Sequence, residues 1–225
     1  MHDTRTSFHD QLDHVKRDVV RLGALVGETI PRGTEAFLTA DDFAITAMDV
    51  DDARIDQLTS AIEQDGCKLL ALQQPVAGDL RALMTALRLA YELERIGDLM
   101  VNVADAGGGL LGHELDPRAR GLVEQLGELT HALLHASIDA YVDCDHHAPD
   151  SLAPIHNEII EVHRRLVEHL LQSARAGVID VDAAVQLALA GRCFERVGDH
   201  AFNVARRVRY MVNGSSLESK RLVPR

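Results

Sequence analysis

Two glutamate–aspartate pairs with a spacing of four residues are the side chains of this sequence best suited to chemistry. Glu94 and Asp98 form the first pair, and Glu195 and Asp199 form the second. Residues four positions apart on a helix lie one above the other, so each pair presents two neighbouring carboxylates. Such carboxylates repel each other unless a proton or a cation neutralises them. Oxygen ligands of this kind favour hard cations such as Mg²⁺, Ca²⁺, Mn²⁺ or iron.

Asp52 and Asp56 repeat this spacing earlier in the chain. If their helix packs beside the helix of the first pair, four carboxylates meet at one groove. The ordinary alternative is that acidic residues beside an apolar stripe form a solvated helix face. Gly97 and Gly198, which lie inside the two pairs, indicate that something close by needs space. A glycine within a helix costs about 1 kcal/mol relative to alanine.

The two pairs belong to an internal repeat. Residues 94–104 (ERIGDLMVNVA) and 195–205 (ERVGDHAFNVA) lie 101 positions apart and are identical at seven of eleven positions. The apolar stripe around each segment is repeated at the same offset: Ala86, Leu89, Leu93, Ile96, Met100 and Val103 correspond to Leu187, Ala190, Phe194, Val197, Ala201 and Val204. The chain is therefore interpreted as two copies of one unit.

The elements that position these pairs are predicted to be helices. Apolar residues recur at spacings of three and four throughout, and no alternating apolar run requires a strand. Helix-breaking residues separate the stripes at residues 74–75, 107–117 and 149–154 and at Gly177. We therefore expect an all-α protein with six long helices in two tandem three-helix bundles, residues 1–110 and 111–214. Pro31 lies within the first stripe and predicts a kink or local break there.

Composition and charge exclude several classes of protein. The net charge of −12, with the 12 histidines neutral, argues against a protein that binds the backbone of nucleic acids. No apolar run is long enough to span a membrane, and the first residues carry no secretory signal. Three widely separated cysteines indicate reduced thiols and a cytoplasmic protein. Residues 215–225 (SSLESKRLVPR) are interpreted as the remnant of an expression tag, since LVPR resembles a cleaved thrombin site.

Three ordered segments resemble the PhoU family of phosphate-uptake regulators: residues 73–81 (QQPVAGDLR), 93–98 (LERIGD) and 194–210, which contain FERVGDH and RRVRY. This resemblance implies tandem three-helix bundles that bind metal through paired acidic motifs, here Asp52, Asp56, Glu94, Asp98, Glu195 and Asp199. It also implies a cytoplasmic, non-enzymatic homodimer. That homodimer would repress phosphate-starvation genes together with the phosphate ABC transporter and its sensor histidine kinase. The metal could be iron, Zn, Mn or Mg, and neither nucleic-acid binding nor membrane insertion is expected.

The fifth helix departs from the pattern of the second. An offset of 104 aligns the apolar residues of the two helices and places His156 at the position of Asp52 and Ile160 at that of Asp56. An offset of 105 gives Asn157 and Glu161 instead, but it puts a histidine on the apolar seam. We prefer 104, which adds His156 to the candidate ligands. The second site then has fewer charged oxygens than the first, so the first site should bind a hard cation more tightly.

Two other classes of protein remain as alternatives. Glu128, His131 and His135 resemble half of the ligand set of a carboxylate-bridged di-metal oxidase, which needs a second Glu-x2-His motif that this sequence lacks. Both histidines point away from the predicted core, which favours a solvated face. A plain helical scaffold with surface acids is the second alternative. Phosphate-binding loops, nucleophile elbows and zinc-protease motifs are absent, so no enzyme is expected.

Overall fold

The computed structural model describes residues 2–112 and 115–214. They form six helices, α1 (His2–Thr39), α2 (Asp42–Gln73), α3 (Ala77–Gly108), α4 (Pro117–Asp143), α5 (Ala148–Arg175) and α6 (Val181–Asn213). Within these residues there is no strand, so the predicted all-α fold of six long helices is confirmed. The boundary predicted between residues 110 and 111 falls after the end of α3. The predicted tag remnant lies outside the described residues.

Aspartates start three of the helices. The side chains of Asp41, Asp116 and Asp180 accept hydrogen bonds of 3.0, 2.9 and 2.9 Å from backbone N–H groups in the first turns of α2, α4 and α6. These N–H groups have no partner within their own helix, so the carboxylates satisfy them. At the other end of α6, Gly214 ends the helix with φ +69°, a left-handed conformation that glycine adopts without a steric cost.

Of the kink or local break predicted at Pro31, the break is wrong, because α1 continues through this residue to Thr39. Proline removes one hydrogen bond from a helix interior, which weakens the helix but does not end it when packing holds both sides. Here the side chains of Ile30 and Phe37 are fully buried. The Thr34 hydroxyl donates a hydrogen bond of 2.7 Å to the Ile30 carbonyl. The helix is therefore held on both sides of the proline by the core.

The predicted start of the fifth helix is also wrong. Residues 149–154 were expected to precede it, but α5 begins at Ala148 and includes both prolines. Pro149 lies in the first turn, where its missing N–H has no partner in any case. Leu152, between the two prolines, is buried and anchors this first segment of α5 against the core. Burial therefore extends the helix past Pro154.

The two units pack against each other in antiparallel fashion. In the contact between α1 and α4, Gly23 lies against Ile138 while Gly127 lies against Thr34, so the two helices run in opposite directions. A β-carbon at Gly23 would lie 2.6 Å from the Ile138 side chain, which shows how closely the helices approach. The second contact between the units joins α3 and α6.

A buried ion cluster lies in the contact between α3 and α6. The Glu92 carboxylate, only 4% exposed, accepts hydrogen bonds from His200 Nδ1 at 2.8 Å and from Arg207 Nη2 at 3.0 Å. Asn203 donates a further bond at 3.4 Å. Burial alone would raise the pKa of Glu92, but the hydrogen bonds from His200 and Arg207 lower it overall. These residues join the two units through paired charges, which the sequence analysis did not single out.

Contacts between neighbouring helices define two broad faces of the molecule. One face follows the order α2, α3, α6, α5, and the other follows α2, α1, α4, α5. The groove between α2 and α3 and the groove between α5 and α6 therefore open on the same broad face. None of the described helices is long and apolar enough to cross a membrane.

Candidate functional site

The first acidic face consists of Asp52 and Asp56 on α2 and Glu94 and Asp98 on α3. α2 and α3 pack against each other, and the charges of these four carboxylates interact at the groove between the two helices. The pKa of Glu94 is raised by its burial and by the charges of Asp98, Asp56 and Asp52, while Arg95 partly offsets these effects. The face therefore carries negative charge that its own residues neutralise only in part.

One oxygen of this face lacks a partner. Asp52 Oδ1 is buried and forms no hydrogen bond within the described part of the chain. Burial raises the pKa of Asp52, and the charges of neighbouring aspartates raise it further. A β-carbon at Gly97 would lie 3.6 Å from this oxygen and 3.0 Å from Ile55 Cδ1, so the glycine leaves room for α2. A buried, unpaired carboxylate oxygen among other carboxylates suits a hard cation.

The carboxylates of the first face are not arranged around a common position for an ion. Among residues 2–112 and 115–214, no three His, Cys, Asp or Glu side chains lie together in an arrangement that could hold a metal ion. Asp98 forms an ion pair with Arg95 on its own helix. An ion at this face would therefore have to draw Asp98 away from Arg95 by side-chain rotation. The residue types and the unpaired oxygen fit a cation, whereas their present positions do not coordinate one.

The second face lies between α5 and α6, and here each carboxylate has an imidazole partner. His156 Nε2 lies 2.9 Å from Asp199 Oδ1, and His163 Nδ1 lies 3.0 Å from Glu195 Oε2. Arg192 also forms an ion pair with Glu195. The hydrogen bond from His156 holds the pKa of Asp199 below its ordinary value in spite of burial. The charges of the second face are therefore paired within the protein.

The sequence analysis did not select His163 or Phe202. The ring of Phe202 stacks on His156, with centroids 4.6 Å apart and planes within 7° of parallel, and so fixes the orientation of the imidazole. His156 and His163 are seven residues apart, which puts both on the same face of α5. That spacing was the available signal for His163.

The packing against the two glycines confirms the offset of 104 between α2 and α5. A β-carbon at Gly97 would meet Ile55 Cδ1 at 3.0 Å, and one at Gly198 would meet Ile159 Cδ1 at 3.1 Å. Ile159 therefore occupies the position in the second unit that Ile55 occupies in the first. In this register Ile160, which is exposed and cannot act as a ligand, stands at the position of Asp56.

The residues of the rejected offset of 105 and of the di-metal alternative are exposed or half-buried. Glu161, a candidate ligand at the offset of 105, is exposed and pairs with Arg164 on its own helix. On α4, His135 is exposed and His131 is half-buried, and their rings meet edge to face at 5.4 Å.

Comparison with known proteins agrees with this architecture. The family model of the PhoU domain matches residues 19–106 and 123–208. The chain is 32% identical over 215 residues to the phosphate-specific transport system accessory protein PhoU homolog 2 of Mycobacterium tuberculosis. That match covers 94% of this chain and 99% of the relative. The chain is also 29% identical over 220 residues to the phosphate-specific transport system accessory protein PhoU homolog of Caulobacter vibrioides. That match covers 97% of this chain and 95% of the relative.

A solved structure shares the fold along nearly the whole chain. The crystal structure of PhoU from Pseudomonas aeruginosa superposes with a TM-score of 0.86 at 26% identity. The match covers 92% of this chain and 100% of that one. Together with the family model, which matches most of both units, these similarities show that the chain belongs to the PhoU family.

Proposed function

We propose that this protein is a non-enzymatic regulator of phosphate uptake that acts in the cytoplasm as a homodimer. When phosphate is plentiful, it represses the phosphate-starvation response by contacting the phosphate ABC transporter and its sensor histidine kinase. Membership of the family supports this proposal, as do the relatives described as accessory proteins of the phosphate-specific transport system. The observation that carries it is the duplicated pair of carboxylate faces on one side of a family fold.

We further propose that the first acidic face holds a divalent or trivalent cation, drawn from iron, Zn, Mn and Mg. Asp52, Asp56, Glu94 and Asp98 would supply the oxygen ligands, and the buried Asp52 oxygen would gain the partner it lacks. On the second face, His156, Glu195 and Asp199 are the candidate ligands. Their carboxylates already have imidazole and guanidinium partners, so a cation gains less there. The two faces should therefore differ in affinity.

A deletion strain tests the function directly. Loss of the protein should switch on a phosphate-starvation reporter gene in high-phosphate medium, and the wild-type gene should restore repression. If the first face is the working site, the double variant Asp52→Asn, Asp98→Asn should restore repression poorly although the protein accumulates normally. The matched control is Asp65→Asn, which also removes a charge from α2 but at an exposed residue paired with Lys68.

The outcomes separate the two parts of the proposal. Normal repression in the deletion strain, with no second family member present, would contradict the regulatory function. Full repression by the double variant would leave regulation intact and contradict the role of the first face. Metal content of the purified wild-type and variant proteins then shows whether the face binds an ion at all.

A further inference from the structure

A stripe of exposed apolar side chains runs along the first half of α6. Val181, Val185 and Leu189 recur every four residues and are 66%, 49% and 54% exposed. This spacing puts them on one side of the helix, opposite the fully buried Leu187. Because α6 packs on α3, α4 and α5, its exposed side belongs to the broad face formed by α2, α3, α6 and α5. Large apolar residues exposed in a row indicate a surface that another molecule covers.

The apolar surface continues from α6 onto α5. The ion pairs of the second face show that these two helices run in opposite directions, and Leu166 lies against Gly191. Five residues further along α5, Leu171 is therefore level with the turn of α6 that contains Val185. Its side chain is 51% exposed. The surface thus spans two neighbouring helices.

Charged residues of opposite sign lie at the two ends of the stripe on α6. Asp182 is exposed, and its carboxylate forms no ion pair with a described residue. Arg192 is also exposed and pairs with Glu195, which has His163 as a second partner at 3.0 Å. Arg192 can therefore pair with another carboxylate without leaving Glu195 unpaired.

These residues are arranged symmetrically about Leu187. Val185 and Leu189 lie two residues before and after it, while Asp182 and Arg192 lie five residues before and after it. A twofold axis through the exposed side of α6 at residue 187 would set Val185 of one copy against Leu189 of the other. The same axis would set Asp182 against Arg192, with opposite charges. The stripe is thus complementary to itself in both shape class and charge, which favours a second copy of this chain over an unrelated partner.

We propose that two copies of this chain dimerise through the exposed stripe of α6, in antiparallel register about Leu187. The inference rests on the homodimer of the proposed function and names the surface that forms it. Each apolar contact and each ion pair occurs twice, once for each copy. Arg192 would contact both the partner subunit and Glu195, so the dimer contact lies directly beside the second carboxylate face.

Analytical ultracentrifugation of the full chain over a range of concentrations tests the surface. The wild type should dimerise, and Leu189→Asp should raise the dissociation constant of the dimer at least about tenfold, because the interface would bury the added charge twice. The matched control is Val142→Asp, which changes a side chain on α4 that is 57% exposed and lies outside the stripe. It should leave the dissociation constant unchanged, and an equal effect of the two variants would overturn the proposed surface.

Exchange of the two charges tests the register. Asp182→Arg and Arg192→Asp each place like charges opposite one another in a homodimer, so each variant alone should dimerise at least about tenfold more weakly. An equimolar mixture of the two variants restores both ion pairs and should form a heterodimer with about the affinity of the wild type. This recovery also shows that both variants are folded.

The outcomes distinguish this inference from the proposed function. Wild-type affinity in Leu189→Asp, or a mixture of the charge variants that stays monomeric, would overturn the proposed surface while the homodimer stands. A wild type that is monomeric at every concentration would overturn the homodimer of the proposed function as well. Repression by the protein is measured separately, in the deletion strain.

Discussion

At the scale of single residues, the two halves of this duplicated protein differ at one position of their acidic faces. The first half has a carboxylate there, and the second half has an imidazole. Asp52 keeps an unpaired buried oxygen, and its raised pKa reflects burial and neighbouring negative charge. His156, in the equivalent position, supplies a hydrogen bond that lowers the pKa of Asp199. The same backbone geometry therefore leaves an unpaired carboxylate oxygen on the first face and gives the carboxylate of the second face a partner within the protein.

Restoring carboxylates to the second face should create a second cation site. In the double variant His156→Asp, Ile160→Asp, that face carries four carboxylates without imidazole support from residue 156. We expect the number of Mn²⁺ ions bound per chain to rise from about one to about two, because charged oxygens increase affinity for hard cations. Electron paramagnetic resonance of free Mn²⁺ during a titration measures this number.

The control for this experiment is Asn157→Asp, which adds one charge to the same turn of α5 at the position that the rejected offset of 105 had favoured. It should leave the stoichiometry unchanged. A second ion bound by the control, or equal binding at both faces of the wild type, would show that charge count does not decide the difference between the faces.

At the scale of the helices, Asp116 has two functions at the start of α4. Its carboxylate caps the helix by accepting the N–H of Ala119 at 2.9 Å and also pairs with His169 on α5. Burial would raise the pKa of Asp116, but the hydrogen bonds from His169 and Ala119 hold this pKa below its ordinary value. A depressed pKa means that this carboxylate stabilises the fold above the pKa of the unfolded chain. The stabilisation is lost as the pH falls through the folded pKa.

The substitution Asp116→Asn removes the charge of this side chain and keeps its ability to cap the helix, so it measures the effect of the charge alone. Asparagine still caps a helix, so the cost at neutral pH should be about 1 kcal/mol, and Asp116→Ala should cost more because the cap is lost as well. Urea unfolding at pH 7 and pH 3 should show the difference between wild type and Asp116→Asn shrinking towards zero at the lower pH. Asp41→Asn, at a cap without an imidazole partner, is the comparison. A difference that does not change with pH would contradict the role of the charge.

At the scale of the whole molecule, the Glu92 cluster holds the two units in one orientation. Glu92→Gln removes the charge that His200 and Arg207 share, and breaking a buried ion pair on one side is strongly destabilising. Because Arg207 is 35% exposed and glutamine can still accept a hydrogen bond, we expect a loss of about 2 kcal/mol in the free energy of unfolding.

Equilibrium unfolding in urea measures this loss. Glu124→Gln is the control, because its carboxylate pairs with Arg120 at an exposed position where the loss should be under about 1 kcal/mol. Equal effects of the two substitutions would show that the Glu92 cluster does not hold the units together.

Much of this protein could be predicted from periodic and repeated features of its sequence. The apolar stripes predicted six helices, and the offset of 101 between Glu94 and Glu195 predicted the duplication. The seam residue Ile55 predicted the alignment with Ile159 that the packing against the glycines confirms. These features are predictable because helix periodicity and internal repeats are local patterns that packing must respect.

Only the tertiary structure decided how the two units meet. Glu92 lies 108 residues from its partner His200. The residue of the second unit that corresponds to Glu92 is Cys193, so the internal repeat does not indicate this cluster. Burial of Ile30 and Leu152 carried helices through prolines that the local pattern marked as breaks. In each case the deciding free energy comes from contacts between distant segments, which a local pattern cannot specify.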